Sequence, residues 1–306
     1  MPAIAFGLVL VAALIHALWN FVAKKSGGDI RVSLLSNIAL CILWAPVGIW
    51  FMWRDVAAFG AVQWSLVAAS GAIHVVYFVT LLRGYRLGDL SVVYPLARGT
   101  GPLITAFVAT TFLDEALGVV GWAGVLGIVG GIMIIAGGPA LLKSMRGGSH
   151  SRHDLMRLRA GVGYGLVTGA FIAAYTVVDG YAVKHAGMSP VLVDYLSNVV
   201  RLPLTALLIW AIRQREPLPL LAYAKQMWRP ALAIGALSPI AYVLVLYAVA
   251  MAPLSQVAPV REVSMLCAAV VFAELRAAEE RREHNRRARL FGAACIAGGV
   301  VAIALS

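Results

Sequence analysis

Three arginines and a glutamate stand where an apolar sequence tolerates charge least. Arg98, Arg201, Arg261 and Glu262 all fall inside long apolar runs. An ionised group at such depth has to face protein or water rather than lipid. Arg98 and Arg261 lie about two turns from the end of a run, ~11–13 Å in at 1.5 Å per residue. Snorkelling explains a base near an end far better than one at that depth, and Arg201 is in mid-run. A guanidinium fork matches a carboxylate or phosphonate bidentately. Three arginines against few deep acids therefore predict attraction for an anionic group. For Glu262 two readings stand: a salt bridge to Arg98, or a group that carries a coupling proton or contacts a substrate amine.

The remaining deep polar residues are His16, Asn20, Asn37, His74, Asp179 and Asn198. His16 and Asn20 are four apart, hence on one helical face with Trp19 beside them. That face could line a polar cavity with the indole against substrate, or hold a buried histidine bonded to a carbonyl. His74 has no evident partner. Tyr94, with Tyr77, Tyr175 and Tyr242, is a candidate cavity wall, although tyrosines at helical spacing also serve as packing or interfacial belts. Asp179 lies about one turn from a loop, which suits an interfacial role. His150 and His153, three apart in a basic loop, are a weak metal signal, so no metal site and no cofactor is expected. Clustered catalytic spacings and a nucleotide-binding loop are also lacking, so the chain is not expected to be an enzyme.

The elements that position these residues are apolar runs. Of 306 residues, 61% are hydrophobic and 13% charged, where soluble domains carry roughly 25% charged residues. Runs of about eighteen residues or more recur along the chain, the mark of an all-α polytopic membrane protein. Ten transmembrane helices are expected, near 3–23, 32–53, 63–83, 90–112, 117–141, 160–183, 189–212, 230–251, 254–274 and 288–305. The net charge of +11 sits in short loops, so the bilayer rather than nucleic acid is the expected partner. Cys41, Cys267 and Cys295 lie in apolar runs and read as packing groups.

The expected helices divide into two sets of five. The first repeat is 1–142, a basic linker loop is 143–159, and the second repeat is 160–306. Leu90-Ser91-Val92-Val93-Tyr94-Pro95-Leu96-Ala97-Arg98 returns in altered form as Leu254-Ser255-Gln256-Val257-Ala258-Pro259-Val260-Arg261-Glu262. Leu35-Ser36-Asn37 matches Leu196-Ser197-Asn198, and Gly130-Gly131 matches Gly298-Gly299. An odd number of spans per copy makes the two copies inverted. Charge agrees: of 25 Lys and Arg, 20 lie in the loops after spans 1, 3, 5, 7 and 9 or at their edges (Arg83, Arg289). Inverted repeats under a positive-inside rule give that pattern. It predicts cytoplasmic odd loops and both termini outside. Glycines in spans 5 and 10 (Gly121, Gly124, Gly127, Gly131; Gly292, Gly299) predict close backbone packing away from the substrate.

On His16-Ala17-Leu18-Trp19-Asn20 with Lys24, the Pro95 and Pro259 helices, Phe112-Leu113-Asp114-Glu115 and Phe272-Ala273-Glu274, the chain resembles the drug/metabolite transporter superfamily, and its EamA-type ten-helix transporters in particular. The resemblance implies a secondary active exporter or exchanger of small metabolites, amino-acid-like or anionic, bound in a central cavity between two repeats. Alternatives of the same fold are a lipid scramblase or flippase and a cationic drug exporter. It also implies a small-molecule substrate, a coupling proton as a further partner, a monomer or homodimer, and a bacterial inner membrane. The charge bias departs from the family's usual cytoplasmic termini. An insert at 276–289, dense in Glu and Arg (Glu279, Glu280, Glu283), departs from it too.

Overall fold

The computed structural model describes residues 1–25, 29–88, 90–135, 152–212, 220–271 and 286–306. Every regular element among them is a helix, as lipid demands of a chain whose backbone groups must be satisfied internally. In chain order they are α1 (Ala3–Lys25), α2 (Ile30–Leu43), α3 (Ala45–Asp55), α4 (Ala61–Leu87), α5 (Leu90–Phe112), α6 (Val119–Ile135), α7 (Arg152–Lys184), α8 (Pro190–Ile212), α9 (Leu220–Met251), α10 (Leu254–Val260), α11 (Ser264–Val271) and α12 (Arg286–Leu305). Six of these, α1, α4, α5, α7, α8 and α9, are long and apolar enough to cross a membrane, and α2 with α3 passes the same test as a bent pair. The apolar parts of α6 and α12 are shorter. The chain is a multi-pass integral membrane protein.

Two expected spans are not straight. The second bends by 63° between α2 and α3, where Pro46 enters the first turn of α3. A proline ring clashes with the carbonyl four residues earlier and supplies no N–H, so the helix restarts rather than continues. The ninth is interrupted after Pro259 by a 3-10 turn at Arg261–Val263. That turn presents Arg261 and Glu262. Residues 152–159, expected in the linker, form the first two turns of α7.

Packing partners recur in pairs. Helix α1 lies against α9 as α7 lies against α4, and α2 against α9 as α8 against α4. A Cβ on Gly71 of α4 would meet Ser197 O at 3.0 Å, and one on Gly235 of α9 would meet Ser36 O at 2.7 Å. Helices α6 and α12 meet through their glycines. A Cβ on Gly124 would lie 2.6 Å from Gly299 O, and one on Gly299 would lie 2.5 Å from Gly124 O. The core beside this contact gathers Val9, Ala106, Ile128, Ile132, Val249, Val257, Ile296 and Ile303, all about fully buried.

Links between helices meet at two ends of the bundle. At one end the Met1 amine lies 3.3 Å from Ala304 O, so both ends of the chain share it. Gln63 Nε2 reaches Ala186 O at the same end. There Glu115, just after α5, accepts from Lys184 Nζ at 2.7 Å and from the Leu254 and Ser255 amides at 2.7 and 2.8 Å. Its carboxylate thus caps α10 and ties it to the end of α7. Burial works to raise the Glu115 carboxyl, but the Lys184 ammonium and the two amides outweigh it and hold the group below the usual glutamate range. A depressed carboxyl stabilises the fold above its unfolded pKa and loses that contribution as pH falls through the folded value. Glu115→Gln should therefore cost about 1.5–3 kcal/mol at neutral pH. Thermal unfolding in micelles should show the gap to wild type closing in acid, and a gap that persists there would contradict the cap.

Candidate functional site

Arg98 of α5 reaches across to the 3-10 turn of the second half. Its Nε lies 3.2 Å from Glu262 Oε2, and Arg261 Nε lies 3.8 Å from Glu262 Oε1. Glu262 is fully buried, and Arg261 is 5% exposed. One carboxylate therefore stands between two guanidiniums. Arg98 Nη2 also lies 3.3 Å from His16 Nε2 and 3.4 Å from Ser264 Oγ. A guanidinium only donates, so His16 accepts through Nε2 and carries its proton on Nδ1. His16 meets Trp19 edge-on at 4.8 Å, while Asn20 Nδ2 donates back to the His16 carbonyl.

A second group lies alongside, on α4, α7 and α9. His74 donates from Nδ1 to Ser70 O at 2.9 Å, which leaves Nε2 as an acceptor. Its ring stacks on Tyr175 at 4.0 Å and meets Tyr242 edge-on at 6.1 Å. Tyr77 meets Tyr175 in a T-shaped contact at 5.7 Å. The Tyr242 hydroxyl donates to Asp179 Oδ2, and Asp179 is fully buried.

The third group runs along one face of α8. Asn198 Nδ2 donates to Asp194 Oδ1 at 3.1 Å, and Arg201 Nη1 donates to Asn198 Oδ1 at 2.9 Å. The amide thus links an acid and a base seven residues apart, two turns along the helix. Asn37 Nδ2 of α2 donates to Asn198 O at 3.0 Å and so positions this face from the other half of the chain.

These hydrogen bonds are incomplete. Among the described residues, Nε of Arg98, Arg201 and Arg261, both oxygens of Glu262, Asp179 Oδ1, Trp19 Nε1 and Gln256 Oε1 are buried with no hydrogen-bond partner. Buried polar atoms are ordinarily satisfied. Several of these atoms, Arg98 Nε, Arg261 Nε and the two Glu262 oxygens, face one another across the ion pairs instead.

Of the residues expected from the sequence, the structure brings together Arg98, Arg261, Glu262, His16 and Trp19. Arg201 belongs to the α8 relay and His74 to the tyrosine group. Asn20 turns back onto its own helix, and Tyr94, one turn before Arg98, is 37% exposed. Asp179, expected near the interface, is fully buried between helices, and its carboxylate accepts from Tyr242. Sequence reading passed over Asp194, because an acid five residues into a span looks peripheral. Its spacing to Asn198 and Arg201 on one face was the available signal. The side chains of Lys24 and His153, and His150, Phe272-Ala273-Glu274 and the residues 276–285 of the insert, lie outside the described residues. Among the described residues no three His, Cys, Asp or Glu side chains gather as metal ligands.

Comparison with known proteins agrees with this architecture. Residues 3–137 match the EamA-like transporter family. An uncharacterized transporter from the cobO 3' region of Sinorhizobium sp is 26% identical over 131 residues, 42% of this chain and 92% of that relative. A protein of solved crystal structure superposes with a TM-score of 0.69 over 100% of this chain and 98% of its own, at 16% identity. At that identity the likeness is one of fold.

Proposed function

From the match of residues 3–137 to the EamA-like transporter family, we propose that this chain is a member of that family and a secondary transporter of small, amino-acid-like molecules, bound where its two halves meet. The halves are two inverted five-helix repeats, 1–142 and 160–306, with ten crossings in all. The paired packing of α1 with α9 and α7 with α4 supports this. So does the reciprocal approach of Gly71 to Ser197 and Gly235 to Ser36. A relative less than half as long also matches the chain over 92% of its own length, as a single repeat would. The bacterial relative supports an inner-membrane location.

The observation that carries the substrate class is the balance of charge at the centre. Arg98, Arg201 and Arg261 stand with Glu262, Asp179 and Asp194, not against few acids as the sequence led us to expect. A purely anionic guest gains little from a balanced site. A zwitterion gains from both sides: its carboxylate can take the unsatisfied guanidinium N–H groups, and its ammonium can lie over the faces of Tyr77, Tyr175 and Tyr242 as a cation–π contact.

Flux of labelled amino acids into proteoliposomes, with and without a proton gradient, tests the reading. Arg98→Gln should abolish flux with expression intact. Arg54→Gln, whose exposed side chain pairs with its neighbour Asp55, should leave it unchanged. Uptake of quaternary ammonium dyes with none of amino acids would replace the reading with cationic export, and lipid scrambling alone would replace it with a flippase.

A further inference from the structure

Two buried carboxylates at the centre have opposite surroundings. Glu262 has guanidiniums at 3.2 and 3.8 Å. Asp179, on α7, is equally buried, yet among the described residues it forms no ion pair. It accepts a hydrogen bond from a neutral donor, the Tyr242 hydroxyl of α9. Oδ1 has no hydrogen-bond partner, although Ser70 of α4 faces the same carboxylate. The other groups around it are His74 of α4, which stacks on Tyr175 one turn from Asp179 on α7, Arg201 and Asp194 of α8, and Arg261 of the 3-10 turn. Arg201 is engaged with Asn198, and Arg261 is nearest Glu262.

A carboxylate taken out of water without a counter-ion in contact is stabilised by accepting a proton. We infer that Asp179 is a proton-binding site of this protein: Oδ1 takes a proton from the aqueous phase, giving the neutral acid, while Tyr242 continues to donate to Oδ2. Release reverses the step, and no other bond changes. Glu262, the acid singled out in the sequence, is instead held between its arginines. Tyr242 thereby couples protonation to α9, and through the aromatic group to the place where an ammonium would lie. This deepens the transporter reading and rests on it for its physiological meaning.

The first test needs no substrate. Infrared difference spectra of the protein in lipid, titrated from acid to alkaline pH, should show the C=O stretch of a buried protonated carboxyl group. That band should shift in D₂O and vanish completely in Asp179→Asn. It should persist in Asp194→Asn and in Glu262→Asp, which keeps a carboxylate among the arginines. Tyr242→Phe should move its frequency by removing the hydrogen bond, which keeps the inference testable if Asp179→Asn does not fold. Absence of the band in wild type, its survival in Asp179→Asn, or an unchanged frequency in Tyr242→Phe would overturn the assignment. In proteoliposomes Asp179→Asn should lose gradient-driven accumulation. If wild type carries no small molecule at all, the transporter reading fails while the infrared assignment stands on its own.

Discussion

Glu262→Gln should destabilise the protein by about 3–5 kcal/mol, the range expected when one partner is removed from a buried ion pair. Both Arg98 and Arg261 would lose their carboxylate at once, and neither can be neutralised by giving up a proton. Arg98→Gln should be milder, because Glu262 keeps Arg261 at 3.8 Å and His16 loses only an acceptor role. Thermal unfolding in micelles, followed by tryptophan fluorescence, should rank Glu262→Gln well below Arg98→Gln and Arg98→Gln below wild type. The order matters more than the values. If Glu262→Gln melts with wild type, the carboxylate is not balancing two charges.

The second large effect is expected at adjacent glycines. A Cβ on Gly131 would lie 2.5 Å from Gly292 O and 2.6 Å from Ile296 Cγ1, whereas one on Gly130 would meet nothing within 4 Å. A backbone carbonyl cannot rotate away as a side chain can. Gly131→Ala must therefore push α6 from α12, at about 1–3 kcal/mol for overpacking. Gly130→Ala should instead stabilise by about 0.5–1 kcal/mol, since glycine in a helix loses more conformational freedom on folding. Melting temperatures moving in opposite directions for the two variants would establish that α6 and α12 pack backbone to backbone. Equal shifts would rule that out.

Much of the helical frame was legible in the chain. Apolar runs gave helices α1, α4, α5, α7, α8 and α9 to within a few residues at most ends, and the exceptions are instructive. Pro46 and Pro259 were both visible, yet a proline in a membrane helix can bend it, break it or be absorbed. Which of these happens depends on neighbours. At Trp44 the outcome is a 63° bend; at Pro102, inside α5, the helix continues. The starts of α7 and α9 fall eight and ten residues before expectation, because a stretch holding bases reads as loop by composition while its backbone can extend a helix into the aqueous phase.

What the sequence determined by itself was class and inventory: a membrane-spanning helical chain, deep arginines, a glycine face on α6 and α12, and bases biased to alternate loops. Composition, run length and a period of 3.6 residues carry that information locally. Only the tertiary structure decided the company each charge keeps. Arg98 and Glu262 are 164 positions apart in sequence yet 3.2 Å apart in space, and Asp179, which looked peripheral, meets Tyr242 at the centre. Each residue turns a helix by about 100°, so a small change in rotation or depth exchanges lipid for a partner. That rotation is set by contacts such as Gly235 on Ser36 and Gly124 on Gly299, which belong to pairs of distant helices and to neither sequence alone.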